Sequence, residues 1–109
     1  MKFMITWNER PMASAADYEG AQKRIMAVFK EWKIPETVTV LHFLVRLGDW
    51  GGFMLVETDD FPAVHGMTTT WAAFEFRVDA VLDIQDAVAA QLEVMAWRDS
   101  IPSDGSESA

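Results

Sequence analysis

The chain contains two histidines, His42 and His65, and no cysteine. The lack of cysteine removes disulfides, thiolate metal sites and a cysteine nucleophile. Two histidines so far apart in sequence do not make a metal-ligand spacing, and nothing in the placement of Glu57 or Asp79 requires them to complete one. Neither a metal nor a cofactor is expected. His42 falls in an apolar run, where an imidazole is either a core or interface side chain or a proton shuttle in a cavity. His65 stands one position off the apolar stripe of its segment, so a solvent-facing ring is expected. Ser14 and Ser100 have no nearby His and Asp pattern, and hydrolase chemistry has no support. Gly51-Gly52 leads into a strand rather than a helix, which is not a phosphate loop. Glu75, Arg77 and Asp79 alternate along one segment, and Arg46 lies on another. Such residues make either an exposed charged edge or an Arg-lined pocket for a carboxylate or phenolate, because guanidinium binds planar anions through two parallel hydrogen bonds. No set of residues reads as catalytic.

The elements that must position these groups follow from periodicity. Phe3, Ile5 and Trp7 alternate with Met4, Thr6 and Asn8, a strand pattern apolar enough on both faces to be central. Glu9-Arg10-Pro11 ends it. Ser14 with Asp17 forms a capping box, and Tyr18, Ala21, Ile25, Val28, Phe29 and Trp32 recur at helical spacing until Ile34-Pro35. Residues 37–47 are rich in β-branched side chains and predict a long strand. Strict alternation places Val38, Val40, His42, Leu44 and Arg46 on one face, with Thr39, Leu41, Phe43, Val45 and Leu47 on the other. A Gly-rich turn at 48–52 then joins it in a hairpin to a strand over 53–57. Asp59 or Asp60 caps a short helix with Pro62 in its first turn and Val64, Met67 and Trp71 as its stripe. Phe74, Phe76, Val78 and Ala80 mark a strand with one apolar and one charged face.

Asp83 is expected to cap a last helix. It carries two apolar stripes, one of Ile84, Val88, Leu92 and Met95, the other of Ala87, Ala90, Val94 and Trp97. Two stripes call for a second contact, most simply a partner subunit.

The order β-α-β-β-α-β-α predicts an α+β fold. It is the ferredoxin-like βαββαβ plan with an antiparallel four-stranded sheet and an extra C-terminal helix. Right-handed crossovers put the strands from Phe3 and Phe53 in the centre. The helices cover one sheet face, and face-to-face association into a dimeric α+β barrel would cover the other. Residues 1–98 are expected to form a single domain and the acidic, Ser-rich residues 99–109 a disordered tail.

Composition narrows the function classes. The 109 residues are 50% hydrophobic and 12% aromatic, with five Trp and seven Met. That supports a folded core and leaves bulky side chains for a cavity or interface. The net charge of −8 opposes binding to nucleic acid and to anionic membranes. No apolar run reaches the roughly 20 residues of a membrane span. The opening Met1-Lys2-Phe3-Met4-Ile5-Thr6-Trp7 is not expected to be a signal peptide, and a cytoplasmic location is the expectation.

Several segments carry a resemblance. These are the opening strand, Gly52-Phe53-Met54-Leu55-Val56-Glu57-Thr58-Asp59-Asp60, Trp71, Phe74-Glu75-Phe76 and Val81-Leu82-Asp83. Over roughly residues 1–90 the chain resembles a small bacterial family of domains of unknown function, the DUF3303 type, with Ala80 where a Pro is usual. The resemblance implies the dimeric α+β barrel group, which includes cofactor-independent oxygenases, haem-degrading enzymes, isomerases, dehydratases and proteins of no known activity. Haem-degrading members use an Asn, a Trp and a His. Asn8 and Trp71 are loose counterparts of the first two, while His65 precedes Trp71 instead of following it. Function in this group rests on a few pocket side chains.

Two readings follow. One is a homodimer with a cavity for a small apolar or aromatic molecule, lined by Trp7, Asn8, His42, Arg46, Trp71 and Arg77, with oxygenase or isomerase chemistry as its finer form. The other is a non-catalytic dimerisation or interaction module.

Overall fold

The computed structural model describes residues 1–103. Seven elements run β1 (Lys2–Glu9), α1 (Ala15–Glu31), β2 (Thr39–Val45), β3 (Gly51–Glu57), α2 (Phe61–Thr69), β4 (Phe74–Val81) and α3 (Ile84–Ser100). The four strands form one antiparallel sheet in the order β2-β3-β1-β4, with the two most apolar strands in the middle. This is the expected α+β, ferredoxin-like arrangement.

Parity along β1 sets the two sheet faces. Ile5 and Trp7 are buried, and they pair across the sheet with Met54 and Gly52 on one side and with Val78 and Phe76 on the other. Helices α1 and α2 cover this face. Ile25 of α1 and Val64 and Met67 of α2 join Ile5, Trp7, Met54, Val56 and Phe74 in one core. The opposite face carries Met4 and Thr6 of β1, Phe53 and Leu55 of β3, and Arg77 and Asp79 of β4. No helix among the described residues lies over it.

Local chemistry explains where the helices begin. The Ser14 hydroxyl accepts from the Asp17 amide at 3.1 Å, as the capping box requires. Asp60 is the cap of α2, its Oδ1 accepting from the Ala63 amide at 3.2 Å, with Pro62 in the first turn. The same carboxylate accepts from the Thr37 hydroxyl at 2.7 Å, while buried Thr58 donates to the Thr37 carbonyl at 2.8 Å. These bonds tie the end of β3 to the entry of β2.

Two local expectations are corrected. Strict alternation along β2 fails, because a bulge at Leu41 separates Val40, opposite Val56, from His42, opposite Leu55. Val56 and Leu55 lie on opposite faces, so Val40 packs toward the helices with Phe43 and Val45, while His42 and Leu44 lie on the helix-free face. One extra residue in a strand reverses the parity of everything beyond it. The strand itself is shorter than residues 37–47. In addition, Asp83 makes no side-chain cap bond to α3. Its carboxylate instead accepts from Lys2 Nζ at 2.8 and 3.0 Å, which anchors the root of α3 to the start of β1.

Helix α3 projects from the body, and the chain measures 75 × 33 × 23 Å. None of its residues is buried. It includes Asp99 and Ser100, which the sequence assigns to the tail. Of that expected tail, residues 104–109 lie outside the described residues.

Candidate functional site

A cleft of about 430 Å³ opens between α1 and the edge strand β2. Its floor is the helix-covered face of the sheet, supplied by Ile5, Trp7 and Met54, and its far wall comes from Met67 and Trp71 at the end of α2. The cleft exists because α1 leaves the β2 end of the sheet only partly covered. Ile25 is buried, whereas Phe29, one turn on, is 49% exposed and Val45 of β2 is 64% exposed.

Glycine makes the floor possible. A Cβ on Gly52 would collide with the Leu44 carbonyl oxygen and stand 2.8 Å from Trp7 Cζ2. With hydrogen there, the benzo edge of the Trp7 indole fits against the β3 backbone. Gly48 carries the one positive φ among the described residues, +93°, in the turn that brings β2 back to β3.

The walls are aromatic. Trp7 meets Phe43 edge to face at 5.4 Å between ring centres, and Trp32 meets Trp71 at 5.2 Å in the same manner. Phe29 bridges the two pairs, 6.4 Å from Phe43 and 6.2 Å from Trp71. These spacings suit the ring quadrupoles and hold the walls apart rather than letting them collapse. Thr68 is the hydroxyl in the lining, and its Oγ1 donates to the His65 carbonyl at 2.8 Å.

A polar group stands on the helix-free face of the sheet, across from the cleft and next to Gly51. Arg46 Nη2 donates to Asn8 Oδ1 at 2.7 Å, and its Nε reaches Asp49 Oδ1 at 3.2 Å. The guanidinium also lies 5.8 Å from the centre of the Phe53 ring. Asn8 and Arg46, 38 residues apart in sequence, are thus brought together by the β1-β3-β2 pairing.

The remaining candidates lie elsewhere. Trp7 and Trp71 line the cleft, but Asn8, His42, Arg46 and Arg77 do not. His42 is exposed on the helix-free face beside Leu44. Arg77, opposite Thr6 on that same face, has its Nε 2.9 Å from Asp79 Oδ2. His65 is exposed on α2.

Sequence reading missed Met26, Trp32 and Trp50 as lining residues. The signal for Trp32 was its place in the α1 stripe, which reads equally well as core. It also passed over Glu9, whose Oε2 is enclosed without a hydrogen-bond donor. Parity along β1 places Glu9 on the Trp7 face, though outside the cleft lining.

Among the described residues, no group of three His, Cys, Asp or Glu side chains is placed to hold a metal ion. No helix among them is long and apolar enough to cross a membrane.

No curated protein and no solved structure matches the chain. One family model does, over residues 1–95, and it is described as a domain of unknown function, DUF3303. With the match spanning β1 through most of α3, the chain belongs to the DUF3303 family.

Proposed function

We propose that the protein acts in the cytoplasm as a homodimer whose α1–β2 cleft holds a small, largely apolar molecule carrying an aromatic ring. The observation that carries this reading is a cleft of about 430 Å³ walled almost wholly by apolar side chains, with edge-to-face aromatic pairs on both sides. Small-molecule pockets typically fall between roughly 300 and 1,000 Å³ and combine apolar walls with few polar groups. An open apolar cleft holds poorly bonded water, and an apolar occupant gains the free energy of releasing it. Trp7 and Trp71 supply ring contacts.

The dimer reading places His42 and Arg77 at the subunit interface. The helix-free face has Met4, Leu44, Phe53 and Leu55 at its centre and Lys2, Arg46, Glu57, Glu75, Arg77 and Asp79 around them. An apolar centre within a charged border of both signs is the composition of a self-complementary interface. Oxygenase or isomerase chemistry would further require a proton-transfer group against the ligand, and the cleft lining contains no carboxylate or imidazole.

Native mass spectrometry of freshly purified protein tests the reading. A dimer with a few hundred daltons of additional mass per chain is the expected result, and that mass identifies the ligand class. A dimer without added mass favours the second reading, a non-catalytic interaction module, for which the exposed apolar residues of α3 are the supporting observation.

A further inference from the structure

Two unsatisfied apolar surfaces lie at opposite corners of the chain. One is α3. Ile84 is 74% and Trp97 63% exposed, and Val88, Leu92 and Met95 are exposed along the same stripe as Ile84. A 17-residue helix is marginal in water by itself, and one that is apolar around more than half its circumference belongs between other surfaces. The other is the mouth of the cleft, where Met26, Phe29, Phe43 and Val45 stand exposed.

These surfaces cannot meet within one chain. Helix α3 starts from the edge strand β4, at the sheet end where Val81 pairs with Lys2, and the Lys2–Asp83 ion pair fixes it there. The cleft lies at the other edge, along β2, and at the other end, where Trp7 pairs with Gly52. Four strands span about 14 Å across and a strand of this length runs about 25 Å, so the diagonal is about 29 Å. Helix α3 is only about 25 Å long and projects outward.

Charge favours one occupant. The second half of α1, beside the cleft, carries Lys23, Arg24 and Lys30, followed by Lys33, against Glu31. Helix α3 carries Asp86, Glu93 and Asp99 against Arg98. In a chain of net charge −8, this is a concentrated basic border next to an apolar groove, and the acidic apolar helix that complements it is on the same chain. Because each chain has both the groove and the helix, exchange between two copies is reciprocal and closed.

We infer that α3 is an exchanged arm: it docks on a second copy of the chain, over the mouth of the α1–β2 cleft. Its Ala87, Ala90, Val94 and Trp97 stripe meets Met26, Phe29 and Val45, and Asp86 and Glu93, on one flank of that stripe, face the basic half of α1. The ligand site is then completed by the partner. This inference rests on the homodimer part of the proposed function and adds where the arm lies.

The cysteine-free sequence permits a direct test. Single substitutions Met26→Cys and Val45→Cys on the groove, and Val94→Cys and Trp97→Cys on the arm, change exposed positions, and circular dichroism checks that each variant folds. Groove and arm variants are mixed, allowed to exchange subunits and oxidised. The expected result is a disulfide-linked two-chain species in at least one mixed pair, with little from any single variant alone. Linkage confined to arm variants alone would mean that two α3 helices pair with each other. A one-chain disulfide in a Met26→Cys, Val94→Cys double variant would mean that α3 closes on its own body. Either outcome, or no linkage in any pair, overturns the inference. A linked pair in protein that carries no ligand would instead contradict the ligand reading and leave the arm in place.

Discussion

Gly52→Ala tests whether the cleft floor is built as described. An added Cβ collides with the Leu44 carbonyl oxygen and lies 2.8 and 2.9 Å from Trp7 Cζ2 and Cη2, where ordinary contact begins at 3.4 Å. The carbonyl belongs to a strand paired with β3 and cannot rotate away, and the indole is enclosed in the core. Strand β2 must therefore move outward or Trp7 must leave its place. Overpacking of this kind costs up to about 3 kcal/mol. Alanine recovers about 0.7 kcal/mol by restricting the unfolded chain. The net loss is about 2 kcal/mol, lowering Tm by roughly 8–16 °C for a domain of this size. Urea denaturation at fixed protein concentration measures it, with Gly20→Ala as the control. Gly20 lies in α1 with nothing within 4 Å of a built Cβ, so alanine there should add about 1 kcal/mol. Opposite signs for the same chemical change are the expected result. A Gly52→Ala variant as stable as the wild type would refute the close approach of β2 and Trp7 to β3.

Other substitutions test other parts. Thr58→Val leaves the Thr37 carbonyl and Asp60 amide without the buried hydroxyl that serves both, and should cost about 2 kcal/mol by urea denaturation. Asp60→Ala removes the α2 cap and the Thr37 bond and should cost at least about 1 kcal/mol, read as loss of helix signal at lower urea. The Lys2 ammonium is held above its usual 10.5, first by its hydrogen bond to Asp83; desolvation opposes this, and the nearby charges of Asp83, Glu57 and Asp86 add to it. A raised folded-state pKa means the contribution is complete below 10.5 and is lost as pH rises through the higher folded value. A Lys2→Met variant should therefore show a flatter loss of stability above that pH in alkaline unfolding curves.

Much of the fold is legible in the sequence because its signals are local. Phe3, Ile5 and Trp7 announce a strand by alternation, Ser14 with Asp17 a helix start, and Asp60 with Pro62 another. The bulge at Leu41 is not legible, since β-branched residues fill that strand whether or not one is looped out, and it decides which face His42 joins. The cleft is partly legible. Trp7 and Trp71 are natural candidates for an apolar pocket, and both line it. Asn8, His42, Arg46 and Arg77 carry polar side chains suited to chemistry, but they lie across the sheet from the cleft. The gap between α1 and β2 depends on how far α1 slides over the sheet, a balance of many packing contacts that no short motif records. The projection of α3 is foreshadowed by its two stripes, because a helix apolar on both sides cannot be satisfied by one sheet face.

Titration with N-phenyl-1-naphthylamine, an uncharged probe that fluoresces in apolar surroundings, tests the ligand cleft most directly. Wild-type protein and a Phe29→Glu variant are compared, the substitution placing a carboxylate in the cleft wall at a half-exposed helix position. The account predicts saturable binding of one probe per chain, with energy transfer from the cleft tryptophans, and at least tenfold weaker binding in a variant that remains folded. Equal binding by the two proteins, or none by the wild type, would contradict it.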